Sequence, residues 1–321
     1  DMDRETQPFG LAASMGVVTA TGIAGLTLGG GYGWLTRKVG LACDNLLSVD
    51  LVTADGQLRT ASATQNPDLF WAVRGGGGNY GVAVSFEFRL HPVGPEAWLA
   101  AAFSPASRAQ EGLRYFRDYM ATAPEDLYAL AVLWSAPEAD PFSKEMWGQP
   151  VLAFVGVYTG PLAQGEAVIR PLREFGTPIV DMSGRMPYLD IQQFYDEDYP
   201  DGMLYYWKSI YLDQLSDEAL DALVAHGVDR PSPLSNVDVW YLGGAFSRVG
   251  PQETAMGRRD FQAMIGVEAN WTDPDTSEAN VRWARSLVAQ LEPFSSGGSY
   301  LNFGGYSEEG QAVVEDVYNK N

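Results

Sequence analysis

The chain has 321 residues, 46% of them apolar and 19% charged, which is typical of globular proteins and long enough for two domains with separate cores. Its 41 acidic and 21 basic residues give a formal net charge of -20, and such a field repels nucleic acid and anionic membranes, so neither is expected as a partner. No stretch approaches 18 uninterrupted apolar residues, so we predict no transmembrane helix.

The acidity of the chain has two interpretations. One is an ordinary acidic cytoplasmic enzyme, and the other is adaptation to high salt, where counterions screen the repulsion between carboxylates. Only four of the basic residues are Lys, which favours the second. We expect a cytoplasmic location, with secretion left open because the sequence opens without Met. Cys43 is the sole cysteine and only two His occur, so neither an internal disulfide nor a metal site is expected.

The first 95 residues are rich in glycine and in short apolar runs. Residues 49–53 and 58–61 flank the turn Ala54-Asp55-Gly56-Gln57 and predict a β-hairpin. Alternating apolar residues predict another strand over 82–90. Between Pro92 and Pro95 the glycine-rich sequence gives way to a mixture of helical and strand patterns. We place a domain boundary there.

Helical and strand patterns are mixed over 96–298, which we take as a second domain. Apolar spacing predicts helices at 110–120, 216–225 and 277–291, the second capped by Ser216, and strands at 151–158, 237–242 and 263–271. This mixture predicts an α+β fold in which helices cover one face of an antiparallel sheet. The remaining residues, 299–321, are expected to return toward the first domain and to form a last helix near Glu308.

Two glycine clusters, at 21–33 and 74–81, are the main indication of function in the sequence. Glycine lets the main chain adopt positive φ and brings N–H groups close to a ligand. Gly76, Gly78 and Gly81 match the spacing of a dinucleotide-binding turn. That turn must open a helix, whereas the residues that follow here predict a strand, so an NAD-binding turn is excluded. A purely structural glycine-rich hairpin stays open as an alternative.

The glycine clusters belong to longer motifs. The segments TGIAGLTLGGGYGW (21–34), GLACDN (40–45) and NPDLFWAVRGGGGNYGV (66–82) resemble the berberine bridge enzyme-like FAD oxidases of the vanillyl-alcohol oxidase / p-cresol methylhydroxylase fold group. SYLNF (299–303) and EDVY (315–318) resemble the C-terminal region of that family. The resemblance implies that residues 1–95 are the second half of an FAD-binding domain and that 96–298 bind a small-molecule substrate.

The resemblance also implies that a glycine-rich strand and turn lie along the flavin and its pyrophosphate. The main chain around Leu26 and Tyr32 is then expected to be bare of side chains, so that the flavin ring can rest on it. Val82 is expected near the adenine. The FAD contacts carried over by motif position are Thr21, Gly22, Gly25, Thr27, Gly30, Gly31, Gly33 and Val82.

The chain departs from the family pattern in two respects. Many relatives have a Cys that bonds the flavin ring where this chain has Val18, and Val cannot form that link. The family's N-terminal subdomain, with a pyrophosphate loop and a flavin-linked His, and its C-terminal closing segment are not recognised here. We therefore expect a fragment of the usual architecture. The alternative is a truncated, catalytically silent relative that binds a ligand or a partner.

The chemistry implied by the resemblance is oxidation of an alcohol, or of a carbon beside an amine or phenol, with hydride transfer to FAD and reoxidation by oxygen. Tyr300 is the first candidate for the base, because relatives often use the Tyr of a Tyr-x-Asn segment. Phe303 stands where some relatives have a second hydroxyl. Tyr241 and Glu268 are weaker candidates. Core packing is the competing interpretation of Tyr300, and a solvent-facing carboxylate that of Glu268.

Overall fold

The computed structural model describes residues 1–304. Strands β2, β3 and β4 of the N-terminal part form an antiparallel sheet in the order β3-β2-β4, which confirms the predicted hairpin and the strand after it. The elements of this part are α1 (Met2–Thr6), β1 (Leu11–Ala12), α2 (Ile23–Leu28), α3 (Thr36–Val39), β2 (Leu46–Val52), β3 (Leu58–Ser62), α4 (Pro67–Ala72), β4 (Val82–Phe88) and β5 (His91–Pro92).

The three helices and three strands predicted between residues 96 and 298 are also confirmed. The Ser216 side chain accepts a hydrogen bond from the Ala219 N–H at 3.2 Å as the N-cap of the helix Asp217–Gly227. The elements are β6 (Glu96–Pro105), α5 (Ala109–Met120), β7 (Leu127–Ser135), β8 (Pro150–Tyr158), α6 (Leu162–Arg173), β9 (Val180–Asp181), β10 (Gly184–Pro187), α7 (Tyr188–Gln192), β11 (Leu204–Leu212), α8 (Asp217–Gly227), β12 (Asn236–Tyr241), α9 (Ala245–Arg248), β13 (Ala263–Trp271) and α10 (Ser277–Leu291).

A large antiparallel sheet organises this second part. Its strands run β10-β6-β8-β7-β12-β13-β11, with β9 beside β6. Ile265 and Val267 of β13 face a core that includes α5, α8 and α10, whereas Met264 faces a second core shared with Trp34 and Leu41 of the N-terminal part. This alternation follows from the two-residue period of a strand. The predicted α+β fold, with helices on one face of an antiparallel sheet, is confirmed.

The first glycine cluster differs from its predicted conformation. The expectation of a strand and turn is wrong, because residues Ile23–Leu28 form the short helix α2. Gly22 precedes the helix in an extended conformation and Gly29 follows it. The residues between them include Ala and Leu, which are good helix formers, and the apolar Leu28 turns inward.

A buried ion pair joins the glycine segment to the sheet. Both terminal nitrogens of Arg259, which precedes β13, donate to the Asp44 carboxylate at 2.9 Å. Asp44 also accepts the N–H of Leu41 at 2.8 Å. The next residues, Ala42 and Cys43, donate their N–H groups to carbonyls of the first glycine cluster. Arg259 therefore fixes the position of that cluster over the sheet.

Across residues 1–304, every helix is too short or too polar to cross a lipid bilayer. The helix predicted near Glu308 and the motif at 315–318 lie outside the described residues.

Candidate active site

The segment that leads into α2 is open to solvent. Thr21, Gly22 and Gly25 are exposed, and a Cβ atom built on either glycine meets no atom within 4 Å. Thr27, further along the helix, is fully buried, and its hydroxyl has no hydrogen-bond partner. Because buried polar atoms are nearly always paired in native proteins, an orphaned hydroxyl beside open main chain favours a ligand at this place.

The later glycines of the same cluster are closed in by the protein itself. A Cβ on Gly33 would lie 1.5 Å from the carbonyl oxygen of Met15, and one on Gly31 would lie 2.5 Å from Ala42. Gly30 and Gly31 also have positive φ angles, of 117° and 92°. Internal packing and backbone conformation thus account for Gly30, Gly31 and Gly33 without a ligand.

The main chain around Tyr32 is not bare, which corrects the expectation from the sequence. Tyr32 is 3% exposed, and its ring packs edge-on against Tyr300 with centroids 4.8 Å apart. Its hydroxyl lies 3.1 Å from that of Tyr211 on the sheet. The aromatic side chains of the second part fill this side of the segment, so the open surface is restricted to the residues before and within α2. Val82 lies elsewhere, on the edge strand β4, and is 69% exposed.

Tyr300 is brought directly onto the glycine segment. Its hydroxyl oxygen accepts hydrogen bonds from the Gly31 N–H at 3.1 Å and from Asn302 Nδ2 at 2.8 Å. Burial raises the pKa of Tyr300 to about 12, although these hydrogen bonds act in the opposite direction. The phenol is therefore protonated at neutral pH. With its oxygen occupied by two donors, its own proton is left to donate to a third group.

The structure separates Tyr241 from Tyr300. Tyr241 packs in the core on the helix-covered face of the sheet, where the Arg37 guanidinium lies 5.6 Å from the centre of its ring. Tyr300 packs in the core on the other face. The two tyrosines therefore cannot act on one substrate from the same side.

Glu268 lies on the same face of the sheet as Met264, as the alternation predicted, but the solvent-facing interpretation is wrong. It is 2% exposed, because β13 is an interior strand between β12 and β11. The Tyr199 hydroxyl donates to its carboxylate at 2.6 Å. Burial, and then the negative charge of Asp238, raise the pKa of Glu268 well above its usual range.

Asp238 is the functional candidate that the sequence analysis missed. It is 5% exposed and stands on β12 opposite Gly266, two residues from Glu268 on β13. Asn236 donates to its carboxylate at 2.9 Å, but burial dominates and raises the pKa of Asp238 to about 7. The sequence Asn-Val-Asp-Val-Trp (236–240) could have indicated it. In a strand, alternate residues share a face, so Asp238 and Trp240 lie on the same side.

Comparison with known proteins identifies relatives of this chain. A family model described as "FAD binding domain" matches residues 1–62. An uncharacterised FAD-linked oxidoreductase of Bacillus subtilis is 31% identical over 312 residues, 92% of this chain and 64% of that protein. The (R)-6-hydroxynicotine oxidase of Paenarthrobacter nicotinovorans is 29% identical over 326 residues, 99% of this chain and 68% of that protein.

Solved structures share the fold over nearly the whole chain. The berberine bridge enzyme-like protein 1 of Physcomitrella patens, 21% identical, superposes with a TM-score of 0.84 over 99% of this chain and 69% of its own. For 6-hydroxy-D-nicotine oxidase of Arthrobacter nicotinovorans, 26% identical, the TM-score is 0.82 over 98% and 69%. This chain contains an FAD-binding domain, is similar in sequence to FAD-linked oxidoreductases, and shares the fold of a berberine bridge enzyme-like protein. It spans between 64% and 69% of the lengths of these four relatives.

FAD is the cofactor of this protein, and the residues present fit it. Gly22 and Gly25 offer open main chain, and Thr27 offers a buried hydroxyl that lacks a partner. Bound FAD supplies a ring that accepts a hydride. The side chain of Val18 cannot bond that ring.

The titration of Asp238 predicts how stability depends on pH. Its pKa in the folded protein, about 7, exceeds the ordinary value of 3.8, so the folded state favours the protonated carboxyl. This contribution is complete below pH 3.8 and is lost as the pH rises through 7. Between pH 4 and 7 we therefore expect wild type to lose a few kcal/mol of unfolding free energy relative to Asp238→Asn.

Urea denaturation of wild type and Asp238→Asn at several pH values between 4 and 8 measures this difference. The exposed Asp201→Asn is the control, and its curve should run parallel to that of wild type. A difference between Asp238→Asn and wild type that stays constant with pH would show that Asp238 titrates normally in the folded protein.

Proposed function

We propose that the protein oxidises a small organic substrate by passing a hydride, from an alcohol carbon or an activated C–H bond, to FAD, which oxygen then reoxidises. The hydroxyl of Tyr300 supports this most directly. It is a buried phenol bound to the Gly31 N–H and Asn302 at the point where the glycine segment meets the substrate-side face of the sheet.

In this proposal residues 1–95 hold FAD, residues 96–298 hold the substrate, and the segment 299–321 carries Tyr300 back to the boundary between them. Thr21, Gly22, Gly25 and Thr27 contact the cofactor directly. Gly30, Gly31 and Gly33 shape the segment, and Val82 contacts a remote part of FAD.

Tyr300 orients the substrate in this proposal. Because its oxygen accepts two hydrogen bonds, its proton points to a substrate oxygen, and the pKa of about 12 keeps that proton in place at neutral pH. A protein group must also take the proton that the substrate loses. Glu268 and Asp238 are carboxylates on the same face of the sheet, and a pKa of about 7 suits Asp238 to accept a proton near neutral pH. Tyr241, on the other face, has no direct part.

The cofactor is tested first by the absorbance of the protein expressed from its complete reading frame. We expect a flavin spectrum that bleaches anaerobically when an oxidisable substrate is added from a panel of sugars, amines and phenols. A colourless, folded protein that gains no flavin absorbance with added FAD would contradict the proposal and favour a silent binding module.

Tyr300→Phe should lower the rate of flavin reduction by about 100-fold while FAD remains bound, because the hydroxyl that orients the substrate is lost. Stopped-flow absorbance at saturating substrate measures this rate. Tyr158→Phe is the matched control, since Tyr158 is equally buried but faces the helix-covered core, and its rate should stay near that of wild type. An unchanged rate in Tyr300→Phe would remove Tyr300 from the mechanism.

A further inference from the structure

The side chains on which the proposed function relies are closed off from solvent. Tyr300 and Glu268 are each 2% exposed, and Asp238 is 5% exposed. A substrate that reacts beside these groups must come into contact with them. Part of the protein therefore has to move aside before the substrate can enter.

One segment lies against the two acids. Residues 193–203, called the strap below, connect α7 to β11. The Tyr199 hydroxyl donates to the Glu268 carboxylate at 2.6 Å. Burial, and then the charge of Asp198 on the strap, raise the pKa of Asp238. The strap therefore covers the face of β12 and β13 that carries the acids.

Two hydrogen bonds fasten the middle of the strap to the segment that leads into α2. The Asp196 carboxylate accepts the main-chain N–H of Thr19 at 2.8 Å and the Thr19 hydroxyl at 2.5 Å. Both bonds are exposed to solvent, so water can replace them at a small cost. This pair, called the latch below, joins the cover of the acids to the chain just before Thr21 and Gly22.

The strap can move as one piece about its ends. Four of its N–H groups donate to carbonyls three residues earlier in the chain, those of Gln193, Phe194, Asp196 and Asp198. These bonds stay intact when the strap moves. Before its first end, Gln192 is anchored by a hydrogen bond to the buried Asp3 at 2.8 Å. Near its other end, Gly202 has a φ angle of 91° and no atom within 4 Å of an added Cβ, as suits a hinge.

The closed position of the strap leaves one polar group unpaired. The ring of Tyr195 stacks on Trp34 with centroids 5.8 Å apart. Its hydroxyl is buried and has no hydrogen-bond partner within residues 1–304. A buried hydroxyl without a partner is unfavourable, and water can pair it once the strap lifts. This cost of the closed position is independent of the latch and lowers the free energy needed for opening.

We propose that the strap is a gate over the substrate side of the sheet, which opens by breaking the latch between Thr19 and Asp196 and closes again over the bound substrate. The inference rests on the proposed function, because it concerns access to the same site. A fixed cover exposes the acids only when the whole protein unfolds, whereas a gate exposes them by local opening.

Alkylation of a cysteine placed beneath the strap tests this on the complete protein. In Asp238→Cys, iodoacetamide reaches the new thiol only when the strap is open, and peptide mass mapping follows the reaction at that position. Cys43 is 0% exposed and is the internal reference for unfolding of the whole protein. We expect the new thiol to react at least about tenfold faster than Cys43. Addition of Asp196→Ala should raise the rate at the new thiol by about tenfold and leave that of Cys43 unchanged.

Asp201→Ala is the matched control, since Asp201 is an exposed acid of the same strap outside the latch, and it should leave both rates unchanged. Equal rates at the two cysteines, no effect of Asp196→Ala, or an equal rise at both cysteines would overturn the gate. Labelling needs no flavin, so these results are separate from the absorbance test. A protein whose flavin bleaches with substrate but whose strap fails this test is still the proposed oxidoreductase.

Hydrogen exchange keeps the gate testable if Asp238→Cys does not fold. Wild type and Asp196→Ala, which both retain Asp238, are compared by mass spectrometry. The amides of residues 193–203 should exchange faster in Asp196→Ala, while those of β7 stay unchanged. Identical exchange of residues 193–203 in the two proteins would also overturn the gate.

Discussion

Replacement of Arg259 by alanine is expected to lower the free energy of unfolding by about 3 to 5 kcal/mol. The Arg259 and Asp44 side chains are 1% and 8% exposed, and the pair is bidentate, with both distances 2.9 Å. Loss of the guanidinium leaves the Asp44 carboxylate buried without a cation. It also leaves Thr254 without the hydrogen bond that it accepts from Arg259 at 2.9 Å. Chemical denaturation followed by circular dichroism measures the change.

Arg248→Ala is the matched control for this prediction. Arg248 also forms a bidentate pair, with Glu125 at 2.6 and 2.9 Å, but the two side chains are 60% and 48% exposed. Solvent screens such a pair, so its loss should cost no more than about 1 kcal/mol. Equal losses of unfolding free energy in the two variants would show that burial does not make the Arg259–Asp44 pair more important for stability than an exposed pair.

Gly33→Ala is expected to destabilise the protein by about 3 kcal/mol, at the upper end of the range for overpacked sites. The new methyl group would lie 1.5 Å from the Met15 carbonyl oxygen and 2.7 Å from its carbon. These are main-chain atoms, so a side-chain rotation cannot relieve the contact and the two segments must move apart. Thermal and chemical denaturation of the variant, without added FAD, measures the loss.

Gly25→Ala, in contrast to Gly33→Ala, should not destabilise the protein. Its Cβ meets no atom within 4 Å, and Gly25 lies inside α2, where alanine is favoured by about 0.5 to 1 kcal/mol. We expect unchanged or slightly higher stability, but roughly tenfold weaker binding of FAD, because the methyl group occupies the open side of the segment. Equal FAD affinity in Gly25→Ala and wild type would show that the cofactor does not approach this residue.

The sequence determined the secondary structure of this protein closely, because most elements are amphipathic or flanked by clear turn residues. The strand 263–271 and the helix 277–291 agree with the structure at both ends, and the alternation along the strand placed Met264 and Glu268 on one face. The long glycine motifs also indicated the resemblance to FAD-linked oxidases and the FAD cofactor, since they depend on residue types at fixed spacing along a single segment.

Only the tertiary structure decided what each of those residues does. Gly25 and Gly33 are alike in the sequence, but one borders open space and the other touches Met15, which lies in a different segment. From the sequence alone, Glu268 is expected at the surface, but in the structure its strand lies between β11 and β12. The pKa of Asp238 is raised because the folded sheet buries its carboxyl group. Burial and contacts between distant segments are products of folding, and local sequence spacing does not encode them.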